Sequence, residues 1–98
     1  MKLHRVEDNY YAFYCPGCEE NVAVPVKPRD HGWDWNGSVD SPTFFPSLLW
    51  NVGGANPTRP ICHSIVTNGR IQFLPDSTHK LAGQTVDIPD WDTQEEVR

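Results

Sequence analysis

The sequence predicts a mainly β fold built from antiparallel hairpins with little helix. Three observations carry that expectation. Nine prolines and seven glycines in 98 residues interrupt the chain too often for long helices. Asn68-Gly69 stands between two apolar, β-branched runs, the strongest short-range signal for a two-residue type I′ hairpin. Val22, Val24 and Val26 alternate with Asn21, Ala23 and Pro25, which is the period of a strand.

Residues 1–9 are polar and read as an irregular lead-in. Tyr10 to Tyr14 is aromatic-rich and reads as a strand. Cys15-Pro16-Gly17-Cys18 follows, a tight turn that sets two sulfurs on one side. The Val22–Val26 strand returns from it, so the turn joins two antiparallel strands. Trp33-Asp34-Trp35 reads as a short strand, and Asn36-Gly37 as a turn. Pro42 and Pro46 bracket Phe44 and Phe45 in an extended, edge-like segment, because proline cannot donate to a ladder. Leu48 to Val52 reads as a buried strand. In the hairpin, the Asn68-Gly69 turn fixes the register: Thr67 opposite Arg70, Val66 opposite Ile71, Ser64 opposite Phe73. Cys62, Ser64, Val66, Ile71 and Phe73 then share one face, and His63, Ile65, Gln72 and Leu74 the other. Lys80 to Gly83 is compatible with one helical turn, and Gln84 to Ile88 with a last strand. The acidic stretch 90–98 reads as irregular. The whole, 1–98, is read as a single domain.

A chain of this length buries about 65% of its unfolded surface, so a cross-link helps the core. Three cysteines are an odd number for a disulfide scaffold, and the first residues show no apolar run of a signal peptide. The setting expected is reducing and cytoplasmic, where clustered cysteine and histidine signal metal. No stretch reaches the ~20 apolar residues of a membrane span. The net charge of -5 disfavours binding to a phosphate backbone.

The Cys-x-x-Cys turn is half of a tetrahedral zinc site. A redox role would require a helix beginning at the first cysteine, and a valine-rich strand follows instead. For the other half, Cys62 and His63 are neighbours on a strand and point to opposite faces. Cys62 lies on the more apolar face, towards the knuckle. His79, just past the hairpin, is the fourth candidate, with Asp76 placed to accept from its other ring nitrogen. The predicted Zn2+ ligands are therefore Cys15, Cys18, Cys62 and His79. His4 and His31 are weaker candidates, and no catalytic or organic cofactor-binding residue is assigned.

Cys62-His63-Ser64-Ile65-Val66-Thr67-Asn68-Gly69-Arg70-Ile71-Gln72-Phe73-Leu74 and Asp76-Ser77-Thr78-His79, with the knuckle, Trp35-Asn36-Gly37, Pro42-Thr43-Phe44 and Pro46-Ser47, carry a resemblance. The chain resembles a family of small tailed-phage and prophage proteins, many of them mislabelled "ammonia monooxygenase". The resemblance implies a phage-encoded, zinc-ribbon-like protein acting in the cytoplasm of a bacterial host. Family members often have Cys where this chain has Ser77. The four-ligand set above survives that change; alternatively the family's site uses that Cys, and His79 or His63 substitutes here.

A closed site of three cysteines and one histidine leaves no coordination position for substrate, which points to a structural zinc in a protein-interaction module. Trp33, Trp35, Phe44 and Phe45, beside Asp34 and Asp40, are the candidate surface, suited to a host protein that the chain would inhibit. An alternative is a zinc-dependent hydrolytic enzyme with an open metal position, in which His63, Asp76 or Glu19 would be the base. A third is a structural or assembly part of the phage particle. Neither His-Glu-x-x-His nor the zinc-deaminase signature is present. Asn36, Thr43, Ser47 and Gln84 read as turn caps.

Overall fold

A computed structural model of the chain describes residues 1–91. The fold is mainly β, in three antiparallel sheets. The first has the order β1 (His4–Glu7), β2 (Tyr10–Cys15), β3 (Glu20–Pro25). The second pairs β4 (Asp34–Trp35) with β5 (Phe44–Phe45). The third has the order β6 (Leu48–Trp50), β7 (Cys62–Thr67), β8 (Arg70–Phe73), β9 (Thr85–Asp87). A 3-10 turn at Val52–Gly54 follows β6.

The β7–β8 hairpin has the register its turn predicts: Thr67 faces Arg70, Val66 faces Ile71 and Ser64 faces Phe73. Asn68 and Gly69 sit at φ 50° and 77°, the left-handed pair that a type I′ turn requires. Side-chain parity follows. Cys62, Ser64, Val66, Ile71 and Phe73 are buried, and Ile65, Thr67 and Gln72 are exposed. The hairpin tip is held by the β5 segment. Gly69 donates to the Pro42 carbonyl at 2.8 Å, and Asn68 N–H donates to Thr43 Oγ1 at 2.9 Å.

The knuckle joins β2 to β3 with Cys15 opposite Glu20. Phe13, Val24 and Val26 from this hairpin meet Phe44, Leu48, Val66, Ile71 and Phe73 in one core. Each such side chain contributes about 1.5–3 kcal/mol by leaving water.

The lead-in departs from expectation: residues 4–7 form β1, antiparallel to β2. Its four residues are exposed, so no apolar alternation marks it; backbone pairing and the buried Leu3 hold it. The 80–83 stretch is a turn rather than a helical one, closed by Gly83 N–H donating to the Phe73 carbonyl at 2.9 Å. At the other end the Trp91 ring stacks on His4, centroids 5.0 Å apart. The rest of the acidic stretch, 92–98, lies outside the described residues. No helix among the described residues is long and apolar enough to cross a membrane.

Candidate functional site

β7 presents chemistry on both faces. Inward, Cys62 meets the knuckle. The sulfurs of Cys15, Cys18 and Cys62 all lie within 4.8 Å of one another, and Cys15 and Cys62 are 3.8 Å apart. Zinc–sulfur bonds of about 2.3 Å at tetrahedral angles set sulfurs about 3.8 Å apart, so this spacing fits a metal. The Cys18 backbone N–H also donates to Cys15 Sγ at 3.4 Å, which orients the first sulfur.

The protonation of the cluster reflects that crowding. Hydrogen bonds from the Cys18 and then the Cys62 thiol pull Cys15 down to about 3, against its burial. Cys18 is pushed up to about 12, chiefly because its thiol is bonded to Cys15. Cys62 is pushed up as well, by its bonds to Cys15 and Cys18 and then by burial. A bound cation would displace protons from this cluster.

The structure places His79 against the knuckle but not within the sulfur group. Its ring meets Phe73 edge-on at 4.5 Å. A Cβ on Gly17 would stand 2.5 Å from His79 Nε2 and 2.9 Å from the Phe73 ring, so only glycine fits that turn. His79 Nε2 is buried with no hydrogen-bond partner. Its Nδ1 accepts the Leu81 N–H at 3.2 Å. The orphaned Nε2 lies beside the knuckle, and a buried ring nitrogen with no protein partner is the kind of donor a metal would take. Asp76, expected on the His79 ring, is on His63 instead, because the turn after β8 carries it to the outer face of β7.

Outward, His63 stands between two oxygen groups. Ser47 Oγ lies 3.1 Å from His63 Nε2. His63 Nδ1 lies 3.0 and 3.2 Å from the two Asp76 oxygens. With the proton on Nδ1 donated to the carboxylate, Nε2 accepts from the serine hydroxyl. That is the relation of nucleophile, base and orienting acid in Ser-His-Asp hydrolysis.

Local structure fixes each member. Strand parity turns His63 away from Cys62. Its N–H donates to Ser77 Oγ at 3.0 Å, and the Ser77 hydroxyl donates back to its carbonyl at 3.1 Å. Leu74 N–H donates to the same carbonyl at 2.8 Å. Ser47 directly precedes β6, whose Leu49 lies opposite His63. The Ser47 carbonyl accepts the Trp33 indole N–H at 3.2 Å.

Sequence reasoning did not assemble this trio. It read Ser47 as a turn cap, took His63 as a substitute ligand or a base for a metal-bound water, and took Asp76 as such a base or as the acceptor on His79. The parity that turns His63 outward was the available signal. The pairing of β6 with β7, which brings Ser47 to it, has no local signature. Of the other polar loop residues, Asn36 does cap its turn, accepting from Ser38 N–H at 3.1 Å and Thr43 N–H at 3.2 Å. Of the proposed aromatic surface, Phe44 is buried, and Trp33 and Trp35 pack against the core; Phe45 is exposed.

No curated protein and no solved structure matches the chain. A family model does match, over residues 1–74. The matched segment contains Ser47, His63 and the three cysteines, and ends two residues before Asp76. The chain belongs to the family described as the bacterial ubiquitination-like system serine protease, BubE.

Proposed function

We propose that this chain is a serine peptidase in which Ser47 is the nucleophile, His63 the general base and Asp76 the group that orients His63. The observation that carries the proposal is the Ser47–His63–Asp76 relay, with contacts of 3.1 and 3.0 Å on the two nitrogens of one ring. Ser47 Oγ attacks the scissile carbonyl carbon and passes its proton to His63 Nε2. His63 then gives that proton to the departing amine as the carbon–nitrogen bond breaks. Water, deprotonated by the same nitrogen, releases the acyl group and restores the serine. Asp76 holds the ring in the required tautomer and stabilises its cationic form. The family description supports this reading, in which the substrate is a protein of a bacterial ubiquitination-like system. The protein partner of this reading is a substrate, met in the bacterial cytoplasm.

Cys15, Cys18 and Cys62, with His79 beside them as the fourth donor, would hold a structural zinc. When bound, the ion supplies a cross-link between the β2–β3 knuckle and β7. The donor set and the 3.8 Å sulfur spacing favour zinc over hard cations, which prefer oxygen.

The test is covalent. A fluorophosphonate probe should add to the wild-type chain at one site, read by intact mass and mapped to the peptide containing Ser47. Ser47→Ala and His63→Ala should not label. Labelling that survives Ser47→Ala would overturn the assignment.

A further inference from the structure

We propose that the free edge of β6 and the cavity beside it form a substrate subsite. It takes an extended peptide as an added strand and accepts an apolar side chain next to the scissile bond. This inference rests on the peptidase reading of Ser47.

The edge is open. β6 is the outermost strand of its sheet. His63 directs its N–H to Ser77 and its carbonyl to Leu74, both away from β6. Leu49 is its partner across the ladder, so this is a non-hydrogen-bonded pair. Leu49 therefore turns its own N–H and C=O towards the free edge. An extended peptide laid there gains two main-chain hydrogen bonds two residues from the nucleophile, the mode of strand addition.

The surroundings are apolar. Five large hydrophobic side chains are exposed among the described residues: Met1, Val6, Phe45, Leu49 and Ile65. Three of these five lie within two residues of a reacting side chain. Phe45 and Leu49 flank Ser47 two residues away on either side, and Ile65 is two residues from His63 on the same strand face. They are 60%, 43% and 36% exposed, and Leu49 stands beside His63 across the ladder. Beside them a cavity of about 90 Å³ opens between Pro25, Trp33, Leu48 and Leu49. Trp33, which forms one wall, also donates to the Ser47 carbonyl. Successive side chains of an added strand point to opposite faces. One would enter the cavity, and its neighbour would lie over Leu49 and Ile65. No charged side chain lines this cavity, so it offers a charged substrate residue no partner and leaves it desolvated.

The experiment uses the full chain and a library of quenched-fluorescent octapeptides. One position at a time carries Leu, Val, Phe, Ser, Asp or Lys. At one position flanking the cleaved bond, an apolar residue should raise kcat/KM over Asp by about ten-fold or more. Leu49→Asp should collapse that ratio towards one. N-methylation of the best peptide at the residue pairing with Leu49 should abolish cleavage, and N-methylation of its neighbour should not, the alternation of a ladder. Binding of the best peptide to Ser47→Ala, followed by amide NMR, should shift the Leu49 N–H. Cleavage without side-chain preference, or equal loss on N-methylation at both positions, would overturn the subsite. Fluorophosphonate labelling on the same sample separates the two claims. A peptide that shifts Leu49 in a chain whose Ser47 never labels would retire the peptidase reading and leave the subsite standing.

Discussion

The two faces of β7 are one residue apart in sequence and opposite in kind. The inner face, through Cys62, is buried and closed, and its sulfur meets two others in the knuckle. The outer face, through His63, is open, with Asp76 64% exposed. The difference teaches how a small domain divides labour. Side chains that hold the fold are taken out of water together. The His63 ring is held instead by the bonds on its own backbone and by Ser47 and Asp76 on its two nitrogens. Ser77 Oγ bonds both the N–H and the carbonyl of His63, so the ring is positioned without being buried.

Substitutions on the two faces should separate cleanly. Ser47→Ala should cost the most, about 10⁴-fold or more in kcat on the best peptide, with melting temperature within a few degrees of wild type. A melting shift as large as that of a knuckle variant would mean that Ser47 holds the fold. Asp76→Asn should lower kcat by about 10²–10⁴-fold with little change in KM, because it disturbs the tautomer and not the binding surface. On the inner face, Cys62→Ala should lose bound zinc, read by native mass spectrometry, and cost about 3 kcal/mol or more of stability in denaturant unfolding. If that variant kept its metal, the knuckle would be closed by other groups. Gly17→Ala should destabilise by about 1–3 kcal/mol, because its methyl collides with His79 and Phe73. Smallest, Ser77→Ala should cost about 1 kcal/mol by orphaning the His63 N–H, and should lower activity further than the stability loss explains. Ser77→Cys should restore part of both.

The inner face was legible in the sequence. Asn68-Gly69 set the register, the register set the parity, and the parity sent Cys62 towards Cys15 and Cys18. Each step is local or has period two. The outer face was not legible, because Ser47 reaches His63, 16 residues further on, only through the pairing of β6 with β7. Nothing local to Phe45-Pro46-Ser47-Leu48 announces a nucleophile. The β1 strand escaped for a related reason, since exposed polar residues paired only through their backbones leave no pattern. His79 was placed near the knuckle by its position in sequence. Which ring nitrogen faces it depends on the Leu81 N–H, a detail of turn geometry.

Trp33 gives the molecule an optical reporter. Its indole N–H is tied to the Ser47 carbonyl, and its ring lines the adjoining cavity. Anything that fills the cavity changes the polarity around that ring. A peptide with an apolar side chain should shift the emission of wild type to shorter wavelength; Trp50 lines the same cavity, so Trp33→Phe should lose part of the shift and Trp33→Phe with Trp50→Phe all of it. Occupancy of the site can thus be followed by fluorescence in real time, with no label added to either molecule.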